Sequence, residues 1–344
     1  MPEATDEALG RRLDQGRERA EATDPTQASL WEALVAAAAG GKRFRPALVT
    51  TVHAALEGGR PAAAVEIGAA VELLHTAFVI HDDVIDGDEV RRGRLNVSGT
   101  FRARALAEGA EPSGAAQYGR TAGILAGDLA LAAAIRTVAT CGAPPEVVDR
   151  LLDLFDAALH TTAAGELADV RLPLGVEIAS LEECLAMEEN KTSAYSFTLP
   201  LQAGAVLADA DQATVAALGR LGRSLGIAFQ LLDDLVGVFG DPAVSGKSTT
   251  ADLRARKQTP LLAHARTTAH WERISSFLGR DLTAQEVRDV RLLFTSSGSR
   301  RFVEELAGSH LAHARATAAA LGLPVDSIIA LTSTPSANRR EVAA

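Results

Sequence analysis

Two apolar runs in this chain each end in a pair of aspartates: HTAFVIHDDVIDGDE (75–89) and FQLLDDLVGVFGD (229–241). Apolar side chains pull such runs inward, while a carboxylate pair resists burial unless something positive sits against it. Any fold open to this chain must therefore bury the start of each run and deliver its end to cations. Asp82 and Asp86 are four residues apart and so share one helical face, where like charges destabilise a bare helix. A solvated helix end accounts for one acidic cluster. Two in the same context point to hard cations, which carboxylate oxygens bind.

The second run has a rival reading. LVGVF followed by GDPAVSGKST could be a strand entering a nucleotide-type phosphate loop. That loop needs glycine, four residues, then Gly-Lys-Ser/Thr. Here five residues separate Gly240 from Gly246, and Asp241 stands where the glycine belongs. An aspartate there would point negative charge at a phosphate. The strand reading fails, and Leu231 onward is expected to be helix.

The rest of the chain agrees. Alanine is abundant, aromatics are only 4% and β-branched runs are few, which favours helix nearly throughout. Ile67, Val71, Leu74, Phe78 and Ile85 recur at helical spacing along one side of 65–86. Gly119, Gly123 and Gly127 repeat every four residues, a stripe expected to lie close against a neighbouring helix. Breaks are expected at Gly40-Gly41, 57–61, 108–114, 141–145 and 239–242, with a long connection over 108–119. Without an internal repeat or a linker, the expectation is one all-α domain, loosely held at its first 25 residues and in the tail 331–344.

Several function classes are excluded. A net charge of −10 leaves no basic field for nucleic acid or an anionic membrane. Cys141 and Cys184 are far apart and form no zinc motif, which suggests a reducing compartment. The N-terminal residues lack the apolar core of a signal peptide. The most apolar run, 123–135, is interrupted by Asp128 and too short to span a bilayer. A cytoplasmic protein without an integral membrane segment is expected.

Of 34 basic residues only Lys42, Lys191, Lys247 and Lys257 are lysine, and they lie in GGKRFRP, NKTSAY, SGKST and RKQTP. Any one could be ordinary surface charge. All four in glycine- or threonine-marked segments suggest phosphate binding, with Arg45, Arg91 and Arg92 adding forked contacts.

GGKRFRP, HDDVIDGDEVRRG, Lys191-Thr192 and FQLLDDLVGVFGD with its trailing Gly-Lys together resemble the trans-isoprenyl diphosphate synthases of the polyprenyl synthetase family. The match runs in order from about Lys42 to Thr259. It implies an isoprenoid-synthase helical bundle over 26–330 with a central apolar cavity, most like a bacterial geranylgeranyl diphosphate synthase and usually a homodimer. It further implies a prenyltransferase that joins isopentenyl diphosphate to an allylic diphosphate, using two or three magnesium ions. By position, Asp82, Asp86 and Asp233 match the magnesium ligands, with Asp83 and Asp234 supporting them. Lys42, Arg45, His75 and Arg92 match the isopentenyl diphosphate subsite. Arg91, Lys191 and Lys247 match the allylic diphosphate subsite, with Lys191, Thr192 and Gln230 at the reacting centre. Ala77 and Phe78 match positions that set chain length, and one phenylalanine beside an alanine implies a twenty-carbon product ahead of farnesyl or longer ones. Two positions depart from the pattern: Gly237 replaces the last aspartate of the second motif, and Glu166 stands where glutamine is common.

Three alternatives were weighed. A terpene cyclase of the same fold needs no isopentenyl diphosphate subsite, so GGKRFRP, His75 and Arg92 argue against it. A metal phosphohydrolase, suggested by His81-Asp82, leaves the second aspartate pair unexplained. A non-catalytic partner subunit should have lost one motif.

Overall fold

Helix punctuation follows the chemistry of the breaks. Pro61, Pro112 and Pro260 open helices at positions where no backbone N–H is needed. Gly87 closes the long helix of the first aspartate motif in the left-handed conformation. Ser180 with Glu183, and Thr283 with Glu286, form reciprocal capping boxes. A computed structural model describes residues 2–175, 178–240 and 250–332.

In chain order the helices begin with α1 (Pro2–Glu21), α2 (Pro25–Ala38), α3 (Phe44–Ala55) and α4 (Pro61–Asp86). A hairpin of β1 (Val90–Arg91) and β2 (Arg94–Leu95) pairs antiparallel, with Val90 opposite Leu95. Then come α5 (Val97–Ala107), α6 (Pro112–Ala139), α7 (Pro145–Arg171), α8 (Leu181–Glu188), a π-helical stretch Glu189–Thr198, α9 (Leu199–Leu207) and α10 (Gln212–Phe239). After residue 250 follow α11 (Ala251–Arg254), α12 (Pro260–Arg266), α13 (Trp271–Ser275), α14 (Ala284–Ser296), α15 (Ser299–Ala320) and α16 (Val325–Thr332). The all-α architecture is as the sequence predicts, and Leu231–Phe239 is helix, not strand.

The chain divides into two compact units, Met1–Phe155 with Pro200–Asp211, and Asp156–Leu199 with Gln212–Ala344. Their boundaries fall inside α7 and at the start of α9, at no linker.

In the first unit, α4 is the central element. Ile67, Val71 and Leu74 are fully buried on it, whereas Ile85 is 48% exposed because the helix has left the core by its last turn. The glycine stripe of α6 lies against that core as expected. A Cβ at Gly127 would collide with the His81 ring, and one at Gly123 with the side chains of Val84 and Ser98. At Gly119 it would come within 2.5 Å of the Ser98 carbonyl oxygen. Glycine thus lets α6 approach α4 and α5 at the end where the aspartates emerge. Both α4 and α6 are long and apolar enough to cross a membrane, but α4's most apolar window is 72% buried inside the protein and α6's is 44% buried.

Two expectations fail. Residues 2–21 are not loosely held: α1 buries Ala8, Leu9 and Leu13, packs Gly16 under the Trp31 indole, and ties Arg11 and Arg12 to Glu66 on α4. Its charges masked a narrow apolar stripe. The connection predicted over 108–119 is only Glu108–Glu111, because Pro112 starts α6 at once. Of the tail, 331–332 finish α16 and 333–344 lie outside the described residues.

In the second unit the core is formed by Leu231 and Leu235 of α10, Leu261 and Leu262 of α12, Phe294 of α14 and Val303 of α15. This packing seats the α10 turn that carries Asp233 and Asp234.

The stripe gives a test. Helix propensity alone predicts that Gly119→Ala stabilises the protein by about 1 kcal/mol. Because the new methyl would meet backbone, we expect a net loss of about 1–3 kcal/mol in denaturant unfolding. A rise in stability would show that α6 is not seated as described.

Candidate active site

The first aspartate motif occupies the last turn of α4 and is met by the hairpin that follows. Arg92 and Gly93 both have positive φ, 53° and 73°, so the turn is tight and brings Arg91 back toward the helix. Arg91 Nε donates to Asp83 Oδ1 at 2.6 Å and Nη2 to Asp82 Oδ2 at 3.1 Å. Asp83 is buried, which pushes its pKa up, and Arg91 opposes that shift. Asp82 is half-buried and Asp86 exposed. Arg91 is thus a positive group set against Asp82 and Asp83.

The residues predicted for the isopentenyl diphosphate subsite come together in the first unit. Gly40 and Gly41 have positive φ and carry the Arg92 guanidinium over their backbone, 3.7–3.8 Å from where their Cβ atoms would be. Arg45 lies over the Phe44 ring at 4.4 Å. His75, one helical face along α4 from Asp82, has its pKa held well below the usual value by burial and then by Arg45, Arg92, Arg91 and Arg43. Of these arginines, Arg43 and Arg91 are paired with carboxylates, which makes Arg45 and Arg92 the cations beside His75 suited to a polyanion. Phe78 is half-buried and Ala77 is 1% exposed.

In the second unit, Lys191 and Thr192 stand on the π-helical stretch. Widened helices of this kind need room and often mark functional positions. Here the room comes from glycine: Gly165 of α7 meets the Lys191 backbone, while Gly226 and Gly222 of α10 meet Ser193 and the Thr198 backbone. Lys191 Nζ pairs with Asp169 at 2.6 Å and Glu166 at 3.1 Å. Glu166, the departure left without a reason by the sequence, thus shares the charge of Lys191.

Thr192 Oγ1 donates to Gln230 Oε1 at 3.2 Å, and Gln230 Nε2 donates to Asp234 Oδ1 at 2.9 Å. Asp234 is fully enclosed, with Lys257 Nζ 4.0 Å away. Burial acts to lower the Lys257 pKa, but Asp234 and Asp252 outweigh it and the pKa is raised. Behind them, Glu188 is buried with no donor to either oxygen, as is Asp234 Oδ2. Burial and then Asp234 push Glu188 well above the usual carboxylate range. Burial raises Asp234 as well, and there Lys257 and Gln230 oppose the rise. Asp233 is half-buried on the same turn. Lys247 lies outside the described residues. Sequence reasoning missed Asp169, Glu188 and Asp252, for which the i,i+3 acids of GELAD were one available signal, and it read Lys257 only as one of four phosphate-binding lysines, whereas the structure sets it beside Asp234.

Gly237 also finds its reason. A Cβ there would lie 2.6 Å from Asp252 Oδ2 of α11. The carboxylate missing from the second motif is replaced in space by one fifteen residues later.

These carboxylates suit magnesium. Among the described residues no group of three or more His, Cys, Asp or Glu side chains surrounds a cation-sized space. Magnesium keeps several waters and binds through one or two carboxylates plus substrate phosphates, so a sparse set of aspartate oxygens is the fitting donor set.

Residues 27–293 match the family model described as polyprenyl synthetase. A (2E,6E)-farnesyl diphosphate synthase of Mycobacterium tuberculosis is 33% identical over 293 residues, 83% of this chain and 75% of that protein. A geranylgeranyl diphosphate synthase of the same organism is 38% identical over 237 residues, 68% of this chain and 61% of that protein. Among solved structures, the geranylgeranyl pyrophosphate synthase of Corynebacterium glutamicum, complexed with isoprenyl diphosphate and magnesium, is similar with a TM-score of 0.88. That match has 27% identity and covers 96% of each chain.

Restoring the consensus aspartate should do harm. Gly237→Asp places a second carboxylate into space held by Asp252, and we expect it to cost about 1–3 kcal/mol of stability without raising turnover. Thermal melts and initial rates decide this. Higher turnover at unchanged stability would mean that Asp252 does not fill the position.

Proposed function

The chain belongs to the polyprenyl synthetase family, and from that premise we propose that it is a magnesium-dependent trans-prenyltransferase. It joins isopentenyl diphosphate head-to-tail to an allylic diphosphate, and its product is geranylgeranyl diphosphate. The observation that carries this reading is that the Arg92 guanidinium lies over Gly40 and Gly41 of GGKRFRP, with Arg45 and Arg92 both near enough to His75 to lower its pKa, on the helix that ends in Asp82 and Asp86. A terpene cyclase has no use for a second diphosphate subsite, so this arrangement also favours a synthase.

The residues divide the work. Asp82, Asp86 and Asp233 would hold magnesium, which when bound stabilises the charge of the departing pyrophosphate. Lys42, Arg45, His75 and Arg92 hold isopentenyl diphosphate, and Arg91, Lys191 and Lys247 hold the allylic diphosphate. As the allylic carbon–oxygen bond breaks, these fixed cations meet the charge developing on the leaving group. Thr192 and Gln230, already hydrogen-bonded to each other, present oxygen dipoles to the allylic cation while excluding water. The double bond of isopentenyl diphosphate attacks that cation, a proton leaves, and the chain is five carbons longer.

Phe78 supports the twenty-carbon product. It stands four residues before Asp82, about 6 Å along the helix and nearly under that aspartate. The similar proteins include both farnesyl and geranylgeranyl diphosphate synthases, so the length assignment rests on this side chain. We also propose that the protein is a cytoplasmic homodimer. The exposed Ile124 and Leu125 of α6 offer a second copy an apolar face.

Incubating the protein with magnesium, isopentenyl diphosphate and each allylic primer, then sizing the products, tests the activity. Asp82→Ala and Asp233→Ala should each lower turnover at least ~10²-fold, because each removes charge that steadies the leaving group. Near-normal turnover in a folded variant of either contradicts the metal assignment. For length, Phe78→Ala should shift the dephosphorylated products beyond twenty carbons by chromatography. An unchanged distribution would place the floor elsewhere.

A further inference from the structure

Arg43 lies inside GGKRFRP, between two residues assigned to substrate, yet the structure engages its whole guanidinium elsewhere. Nε donates to Asp6 Oδ1 of α1 at 2.7 Å, Nη1 to Glu72 Oε1 of α4 at 2.7 Å, and Nη2 to the Ala38 carbonyl that ends α2 at 2.9 Å. The side chain is 12% exposed and that of Glu72 6%. Two carboxylates already satisfy this cation, so it has little left for a diphosphate.

Its backbone explains the attachment. Arg43 has φ 52° and ψ 31°, the left-handed conformation, and serves as the residue before α3 without capping it. With Gly40 and Gly41 also at positive φ, three of four successive residues take this conformation. Only Arg43 among the three carries a side chain, and the conformation is unfavourable for it. Three charge-assisted bonds hold it there.

What they hold in place is the subsite. Lys42 precedes Arg43 and Arg45 follows two residues later, so the backbone at Arg43 aims both. Glu72 stands three residues before His75 on α4, on the same helical face. We propose that Arg43 is a positioning residue: through Glu72 it fixes the Lys42–Arg45 loop against the His75 face of α4, and through Asp6 it makes the N-terminal helix part of the isopentenyl diphosphate subsite. This inference rests on the assignment of Lys42, Arg45 and His75 to that substrate. A lysine at position 43 cannot replace the arginine, because an ammonium cannot span three acceptors in the fork geometry.

Steady-state kinetics on the full chain, with each substrate varied in turn, tests it. Arg43→Lys and Glu72→Gln should each raise KM for isopentenyl diphosphate about tenfold, with the KM for the allylic primer within about twofold and kcat little changed. Asp6→Asn, at a half-exposed position, should act in the same direction but less. It keeps the idea testable if a buried variant fails to fold. Equal rises in both KM values, a fall in kcat alone, or no change in the variants that fold would overturn the proposal. Lys42→Ala serves as the reference. If it leaves the isopentenyl diphosphate KM unchanged, the subsite assignment fails and this proposal with it. If Lys42→Ala raises that KM while the three variants do not, only the positioning role fails.

Discussion

Carboxylates set at the ends of apolar helices persist only when cations are held against them, and the structure is organised around that demand. Asp82 and Asp83 have Arg91. Asp234 has Lys257 and Gln230, with Glu188 buried behind it. Lys191 is in turn claimed by Glu166 and Asp169. Removing the cation beside buried Asp83 or Asp234 would leave a carboxylate stranded out of water. Within each unit, then, cations assigned to substrate rest on nearby carboxylates: Arg91 on Asp82 and Asp83, and Lys191 on Glu166 and Asp169.

That arrangement needs close backbone approach, and glycine provides it. On α6 the stripe lets α4 and α5 in, and the aspartates emerge where the packing is tightest. Around the π-helical stretch, Gly165, Gly222 and Gly226 leave room for the backbone that carries Lys191 and Thr192. Gly237 admits the Asp252 carboxylate. In each place a methyl group would collide with the neighbouring chain, and at Gly237 with the Asp252 carboxylate itself.

How much of this was legible in the sequence follows from the range of each signal. Helical spacing reveals neighbours three and four residues apart, so the faces of α4, the stripe of α6 and the pairing of Asp82 with Asp86 could be read directly. Motif order carried the family, and composition carried the all-α class. Long-range partners left no such trace. Nothing in the spacing tells that Asp252 would fill the gap at Gly237, that Glu166 and Asp169 would meet Lys191, or that Asp6 would reach Arg43. The mixed charge of residues 2–21 hid a stripe as narrow as Leu9 and Leu13, so the segment read as loosely held.

If the cations and anions of the free site hold one another, metal and diphosphate should bind in concert, each releasing the partner that the other requires. Isothermal titration of magnesium into the protein, with and without saturating inorganic pyrophosphate, measures this coupling directly. The account predicts weak magnesium binding alone and at least ~10-fold tighter binding with pyrophosphate, mirrored when the order of addition is reversed. Equal magnesium affinity in both conditions would contradict it.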